Sequence, residues 1–168
     1  MSTKPAPRRY ACVNAESVLA DLDLVPVAYR VLLKIRAFSE PGGLLHLDQA
    51  AIAKMCGLSR ATVNGALRDL DLAQILTKVR NGSYQLNPML ASYLSAEDCD
   101  AAIAAMPETQ MLTHRDFVKQ YHRNLEHYQD QLAEQRRKRQ LKAEMEVAAI
   151  NERRSAMRTL NSKRAAGS

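Results

Sequence analysis

Tryptophan is absent from this chain of 168 residues, and only six Tyr and two Phe are present. Any core built from it must therefore be aliphatic. Cysteine is also scarce: Cys12, Cys56 and Cys99 show no paired spacing. An odd, scattered set argues against a disulfide framework and for reduced thiols in a cytoplasmic setting. Neither Cys nor His falls at zinc-ligand spacing, so no metal and no cofactor is expected. No apolar run approaches the length of a membrane span. The basic stretch Met1–Arg9 is followed by no apolar segment, so it does not read as a secretory signal. A Gly-rich loop ending in Gly-Lys-Ser/Thr is missing too, which removes the phosphate cradle that ATP chemistry needs.

Positive charge, by contrast, is in surplus. Lys and Arg number 24 against 18 Asp and Glu, for a formal +6. Residues 1–94 carry +4, residues 95–112 carry −4 with no basic side chain at all, and residues 113–168 carry +6. The two outer segments can attract phosphate and the middle cannot. A surplus of this size is also common in proteins that never meet nucleic acid, so local pattern has to decide.

That pattern is sharpest from Asp48 to Leu70. Asp48 is a good N-cap, and Ala51, Ile52 and Met55 follow on one helical face. Gly57 supplies the left-handed residue that ends a helix, Leu58 points inward, and Ser59 caps the next helix. There Val63, Ala66, Leu67 and Leu70 recur at the 3.6-residue period and face a core. The opposite stripe holds Arg60, Asn64 and Arg68, spaced i, i+4, i+8. It runs for roughly 12 Å, about the width of the DNA major groove. Arg60 and Arg68 suit guanine edges or phosphates, and Asn64 suits an adenine edge. Ser59 and Thr62, near the helix start, suit phosphate. Gly65 removes a side chain beside this stripe and costs about 1 kcal/mol of helix propensity. On one isolated helix, Arg and Asn are more often plain solvated surface; the capped helix before and the hairpin after tip the balance to DNA.

The hairpin spans Ile75–Arg80 and Ser83–Asn87 around Asn81-Gly82, the strongest two-residue turn signal. Pairing Arg80 with Ser83 predicts Val79 opposite Tyr84 and Thr77 opposite Leu86 on an apolar face. Lys78, Arg80, Ser83 and Gln85 would share a polar face. With Asn81 at the tip, Lys78, Arg80 and Ser83 form a wing suited to a phosphate backbone. An edge merely protected by Lys and Arg is the competing account. Upstream, Val31, Leu32, Ile35 and Phe38 mark a core helix over residues 28–38 with Pro26 near its start, and Pro41-Gly42-Gly43 stops it. Residues 44–47 are long enough for a short strand. Residues 13–24 read as one more helix, capped at Asn14 or Ser17, with Val18, Leu19 and Leu22 inward.

From Asn14 to about Leu94 the chain resembles the RepL family of plasmid replication proteins. The likeness rests on a hydrophobic leading helix, a helix-turn-helix, and a wing ending in a Gly-x-Tyr-x-x-Asn-Pro phrase. Here that phrase is Gly82-Ser83-Tyr84-Gln85-Leu86-Asn87-Pro88, followed by Met89-Leu90-Ala91. The Gly usual between recognition helix and wing is absent: the chain reads Leu70-Asp71-Leu72-Ala73-Gln74-Ile75. The resemblance implies origin binding and the start of replication, with Arg60, Thr62, Asn64, Arg68 and the wing facing DNA.

Past Leu94, Ser95 with Asp98 starts a short helix that Pro107 closes. From His114 to about Leu160 no Pro or Gly occurs, which predicts one long helix of roughly 70 Å. Val118, Tyr121, Leu125, Tyr128 and Leu132 keep the 3-4 spacing of a coiled-coil seam for about two heptads. They form a candidate homodimer seam, or a face that packs back on the preceding domain. Arg136, Arg137, Lys138 and Arg139 make the densest basic cluster, either an auxiliary phosphate grip or a solvated helix face. Catalysis is not expected. His46, His114, His122 and His127 include no His-hydrophobe-His pair of the relaxase type, and the Tyr–His neighbours read as packing.

The expected protein is mainly α with a small β-hairpin wing. Residues 1–10 form a flexible basic tail, 11–94 a winged helix-turn-helix domain, and 95–112 a short helix and linker. Residues 113–160 form a long basic helix, and 161–168 a disordered tail. Its expected role is duplex DNA binding without enzymatic activity or membrane contact, as a plasmid replication initiator that recruits host replication machinery. A winged-helix transcription repressor would use the same face. An interaction adaptor would use the winged unit only as structure.

Overall fold

The structure, a computed structural model, describes residues 10–12 and 14–166, with 159, 160 and 162–166 described by backbone alone. Its elements in order are α1 (Asn14–Ala20), α2 (Pro26–Phe38), β1 (Leu44–Leu45), α3 (Gln49–Cys56), α4 (Arg60–Leu72), β2 (Leu76–Arg80), β3 (Ser83–Leu86), α5 (Ala96–Ala104) and α6 (Phe117–Ala166). Single 3-10 turns occupy Pro88–Leu90 and Glu108–Gln110. The molecule is thus mainly helical, with a three-stranded antiparallel sheet in the order β1-β3-β2. Two units separate within α6, residues 1–125 and 126–168.

Caps define α3 and α4 as local chemistry requires. The Asp48 carboxylate accepts from the Ala51 amide at 2.7 Å, and the Ser59 hydroxyl accepts from the Thr62 amide at 3.1 Å. Gly57, at φ 64°, closes α3 in the left-handed region. Behind them α2 buries Ala28, Val31, Leu32 and Ile35, while α4 buries Val63, Ala66, Leu67 and Leu70. These residues, with Leu45, Ile52, Ile75, Leu76, Tyr84 and Leu86, form one core.

Several expectations are corrected. Phe38 does not join the core: it is 60% exposed, and Ser39 is buried in its stead. The inward line of α2 continues from Ile35 by four residues, not three. The leading helix stops at Ala20, yet Leu22 and Leu24 are still buried. A turn follows the helix, in which the Asp21 and Leu22 amides donate to the Val18 and Leu19 carbonyls at 3.1 and 3.4 Å, and Asp23 then takes a left-handed φ of 46°. The expected tail over residues 1–10 lies outside the described residues except for Tyr10. That residue is tied down, exchanging two backbone hydrogen bonds with Tyr93 at 2.9 and 2.8 Å.

The hairpin register also differs. Arg80 does face Ser83, but Leu76 pairs with Leu86, Thr77 with Gln85 and Lys78 with Tyr84, with the register slipping between Lys78 and Arg80. Val79 is the displaced residue and is 59% exposed. A one-residue slip exchanges the two faces of a strand. The core decides which face wins, because burying Leu76 beside Leu86 and Tyr84 removes more apolar surface than burying Thr77. Among the two central turn residues only Gly82 has positive φ, 74°. The turn is therefore not type I′, where both would be positive, and the bulge at Val79 takes up the mismatch in twist.

The Gly missing between α4 and β2 has a structural counterpart. Gln74 occupies the left-handed region at φ 55°, where a side chain is normally disfavoured by about 1–2 kcal/mol. The elbow is held by Asn87, whose side-chain amide donates to the Gln74 carbonyl at 3.1 Å and the Gln110 carbonyl at 3.0 Å. Its oxygen accepts from the Met89 amide at 3.0 Å and so caps the 3-10 turn.

The long helix runs to Ala166, past the expected end at 160 and through most of the segment expected to be disordered. Lys163, Arg164, Ala165 and Ala166 are good helix formers, and no Gly interrupts before position 167. The first compact unit reaches Leu125, beyond the boundary expected at residue 112. Phe117 and Tyr121 are buried there, Val118 and Leu125 pack against the same core, and the Asn124 side chain donates to the Leu72 carbonyl at 2.9 Å.

Candidate nucleic-acid interface

Helix α4 divides cleanly by environment. Val63, Ala66, Leu67 and Leu70 are buried, while Ser59, Arg60, Thr62, Asn64 and Arg68 are all exposed on its solvent side. Its first turn is held by a hydroxyl pair, Ser59 Oγ and Thr62 Oγ1 at 2.8 Å. That arrangement fixes the helix start, where amide groups point outward and favour an anion. The far end is fixed by Asn124 on the Leu72 carbonyl. Arg68 lies next to Asp69, whose carboxyl is pushed up by burial and pulled back by the Arg68 charge.

The candidate residues of the hairpin part company. Lys78, Arg80 and Asn81 are exposed, and among the described residues neither Lys78 nor Arg80 has a carboxylate within ion-pair distance. Ser83, expected to touch a ligand, is instead buried at 3% exposure. Its hydroxyl accepts from Arg80 Nε at 3.2 Å and lies 3.0 Å from His46 Nδ1. Ser83 therefore braces the hairpin and holds the Arg80 guanidinium. Lys78 leaves the strand on the side of Tyr84, opposite to the face shared by Thr77 and Gln85. The hairpin turn lies by the start of α3, since a methyl on Gly82 would sit 4.0 Å from Asp48 Cβ.

Helix α2 adds two cations, Arg30 and Lys34, near this surface. The Arg30 guanidinium lies over the α3–α4 turn, with Nη2 3.8 Å from where a Gly57 methyl would be. Arg30 and Lys34 both bear electrostatically on the buried Cys56 thiol, opposing the upward push of its burial. They sit at the α3 C-terminus, where the helix dipole favours a cation. Their i, i+4 spacing in a mostly apolar helix was the available signal.

The remaining candidates lie on α6. Val118, Tyr121 and Leu125 serve the core of the first unit, which removes the first half of the proposed dimer seam. Tyr128 and Leu132, in the second unit, are part-exposed. Arg136, Arg137, Lys138 and Arg139 are exposed, but four consecutive residues point around the whole helix at 100° steps. Lys138 is engaged by Glu134 at 2.6 Å, one turn earlier, and that contact holds the Glu134 carboxyl below its ordinary range.

Among the described residues no three His, Cys, Asp or Glu side chains converge as a metal site would require. No described helix is long and apolar enough to cross a membrane. No protein-family model, curated protein or solved structure matches the chain.

Proposed function

We propose that this chain binds duplex DNA as a winged helix-turn-helix protein, without enzymatic activity. In this reading α3, the Gly57 turn and α4 form the helix-turn-helix, α4 enters the major groove, and β2–β3 is the wing. The observation that carries it is the exposure of Arg60, Thr62, Asn64 and Arg68 on a helix whose Val63, Ala66, Leu67 and Leu70 are core. Arg60 and Arg68 supply forked donors for guanine edges, Asn64 supplies the donor–acceptor pair that adenine matches, and Ser59 and Thr62 flank a phosphate. Lys78 and Arg80 add backbone contacts. The strand order β1-β3-β2 and the location of the hairpin after α4 support the assignment. The resemblance to plasmid replication proteins gives the particular role: occupying an origin and recruiting host replication machinery.

Fluorescence anisotropy with labelled duplexes at rising salt tests the binding. Affinity falls log-linearly with salt when phosphates are neutralised. A chain that ignores duplexes at low salt is no DNA-binding protein. Supplying the gene in trans to a plasmid that carries only the origin tests the role. Maintenance of that plasmid supports initiation, and repression of a nearby promoter without maintenance supports transcription control.

A further inference from the structure

Gly65 has no internal reason to be glycine. Of the five described glycines, Gly42, Gly43, Gly57 and Gly82 all sit at positive φ, between 64° and 88°, and Gly65 alone does not. It lies in the middle of α4, with ordinary helical backbone. A methyl built there would meet only Arg68 Nη2, at 3.8 Å, which is normal contact with the end of a flexible side chain. Alanine would fit without strain and would favour the helix. The chain nevertheless carries the residue that weakens this helix most, short of proline.

Position explains what the interior does not. Val63, Ala66, Leu67 and Leu70 define the buried side of α4. At 100° per residue, the line opposite their mean direction runs by Ala61, Gly65 and Arg68 and ends at Leu72, which packs against the core. Arg60 and Asn64 lie to one side of that line, and Thr62 and Asp69 to the other. Ahead of Leu72 the solvent-facing line is therefore cut down to backbone at the part-buried Gly65, between the polar residues proposed to read DNA.

We infer that Gly65 is a positioning residue for the duplex: its missing side chain lets the groove come into contact with the α4 backbone. This inference rests on the proposed DNA-binding role and adds a depth requirement to it. A methyl at 65 would lift the helix from the groove. Arg60, Asn64 and Arg68 would then be drawn back together, because all three are carried on the same rigid element.

The test is Gly65→Ala in the full chain, read by two measurements. The probe is a duplex recovered with the wild type from a randomised double-stranded library, with an unselected duplex of equal length as control. The expected result is a melting temperature higher by roughly 2–4 °C together with binding to the selected duplex weaker by about tenfold or more, a loss of about 1.4 kcal/mol. Gly65→Leu should weaken binding further. A stabilised variant that binds as the wild type does would overturn the inference and leave the DNA-binding role intact. A destabilised Ala variant would overturn it as well, by revealing an internal need for glycine. Failure of the wild type to retain any duplex would overturn the underlying role instead.

Discussion

Removing the Asn87 side-chain amide should loosen the whole junction between α4 and the hairpin. Asn87 is only 7% exposed. Its side chain makes three hydrogen bonds, to the carbonyls of Gln74 and Gln110 and from the amide of Met89, all between 3.0 and 3.1 Å. Each such bond contributes about 1 kcal/mol net, and each partner left buried and unpaired adds a penalty. Asn87→Ala should therefore cost about 3 kcal/mol, and as much as ~5 if no water enters. At about 2–4 °C per kcal/mol for a chain of this size, melting should fall by roughly 6–12 °C. Urea unfolding followed by circular dichroism gives the free energy directly. Asn87→Asp is the diagnostic partner. It keeps the acceptor for Met89 but turns a carboxylate toward two carbonyls, so its carboxyl pKa should be raised in the folded state. A raised carboxyl contributes stability that grows as pH falls through it. The Asp variant should accordingly recover toward wild type on acidification, when its protonated oxygen can donate again, whereas the Ala variant should not. A loss below 1 kcal/mol for Asn87→Ala would show that these bonds do not hold the elbow together.

Other outcomes follow from the same geometry. Gln74→Gly relieves a positive φ of 55° and removes a buried side-chain oxygen that has no partner among the described residues; it should stabilise by about 1 kcal/mol, and destabilisation in urea would contradict the strain assigned there. Ser83→Ala deletes the hydroxyl shared by Arg80 and His46; about 1–2 kcal/mol of stability should go with it, and unchanged unfolding would mean the brace is idle. Arg68→Ala should weaken the selected duplex by on the order of 1–3 kcal/mol and relax preference at one base pair. Lys78→Ala should weaken all duplexes alike and reduce the salt slope by about one. A competition series that found the two variants indistinguishable would remove the division between base reading and backbone contact.

What could be read from the sequence was what short-range chemistry fixes. Asp48, Gly57 and Ser59 each do at their own positions what their side chains or lack of one predispose, so α3, the turn and α4 were legible together with the exposed line through Arg60, Asn64 and Arg68. The hairpin was legible in its existence and in the faces of β3, where Tyr84 and Leu86 are buried, but not in the faces of β2. Asn81-Gly82 specifies where a chain reverses; which side of β2 turns inward depends on Leu76 meeting Leu86 across the strand. That choice belongs to the core and has no local signature. Ser83 keeps its expected pairing with Arg80 but is buried beside His46 and Arg80, contacts that alternation along one strand cannot show. Phe38 and Ser39 illustrate the same limit at the end of α2, where i+3 and i+4 are equally compatible with the period. The pairing of Tyr10 with Tyr93 joins residues too distant in sequence for any spacing argument.

Residues 118–132 show most clearly why a correct pattern can carry an open meaning. A 3-4 repeat states only that one side of a helix is apolar; it does not state whether the partner is another chain or the same one. Tyr121 is buried and Val118 and Leu125 are partly buried in the first unit, while Asn124 donates to the Leu72 carbonyl at the end of α4. The first turns of α6 thus belong to the scaffold that fixes α4. Rigidity there has a consequence for recognition, because a helix held at its Ser59 start, along its buried side and at its Leu72 end loses little freedom on meeting a ligand. Under the proposed DNA-binding role its contacts would then stand or fall as a set, which is why a single methyl at Gly65 is expected to act on Arg60, Asn64 and Arg68 at once.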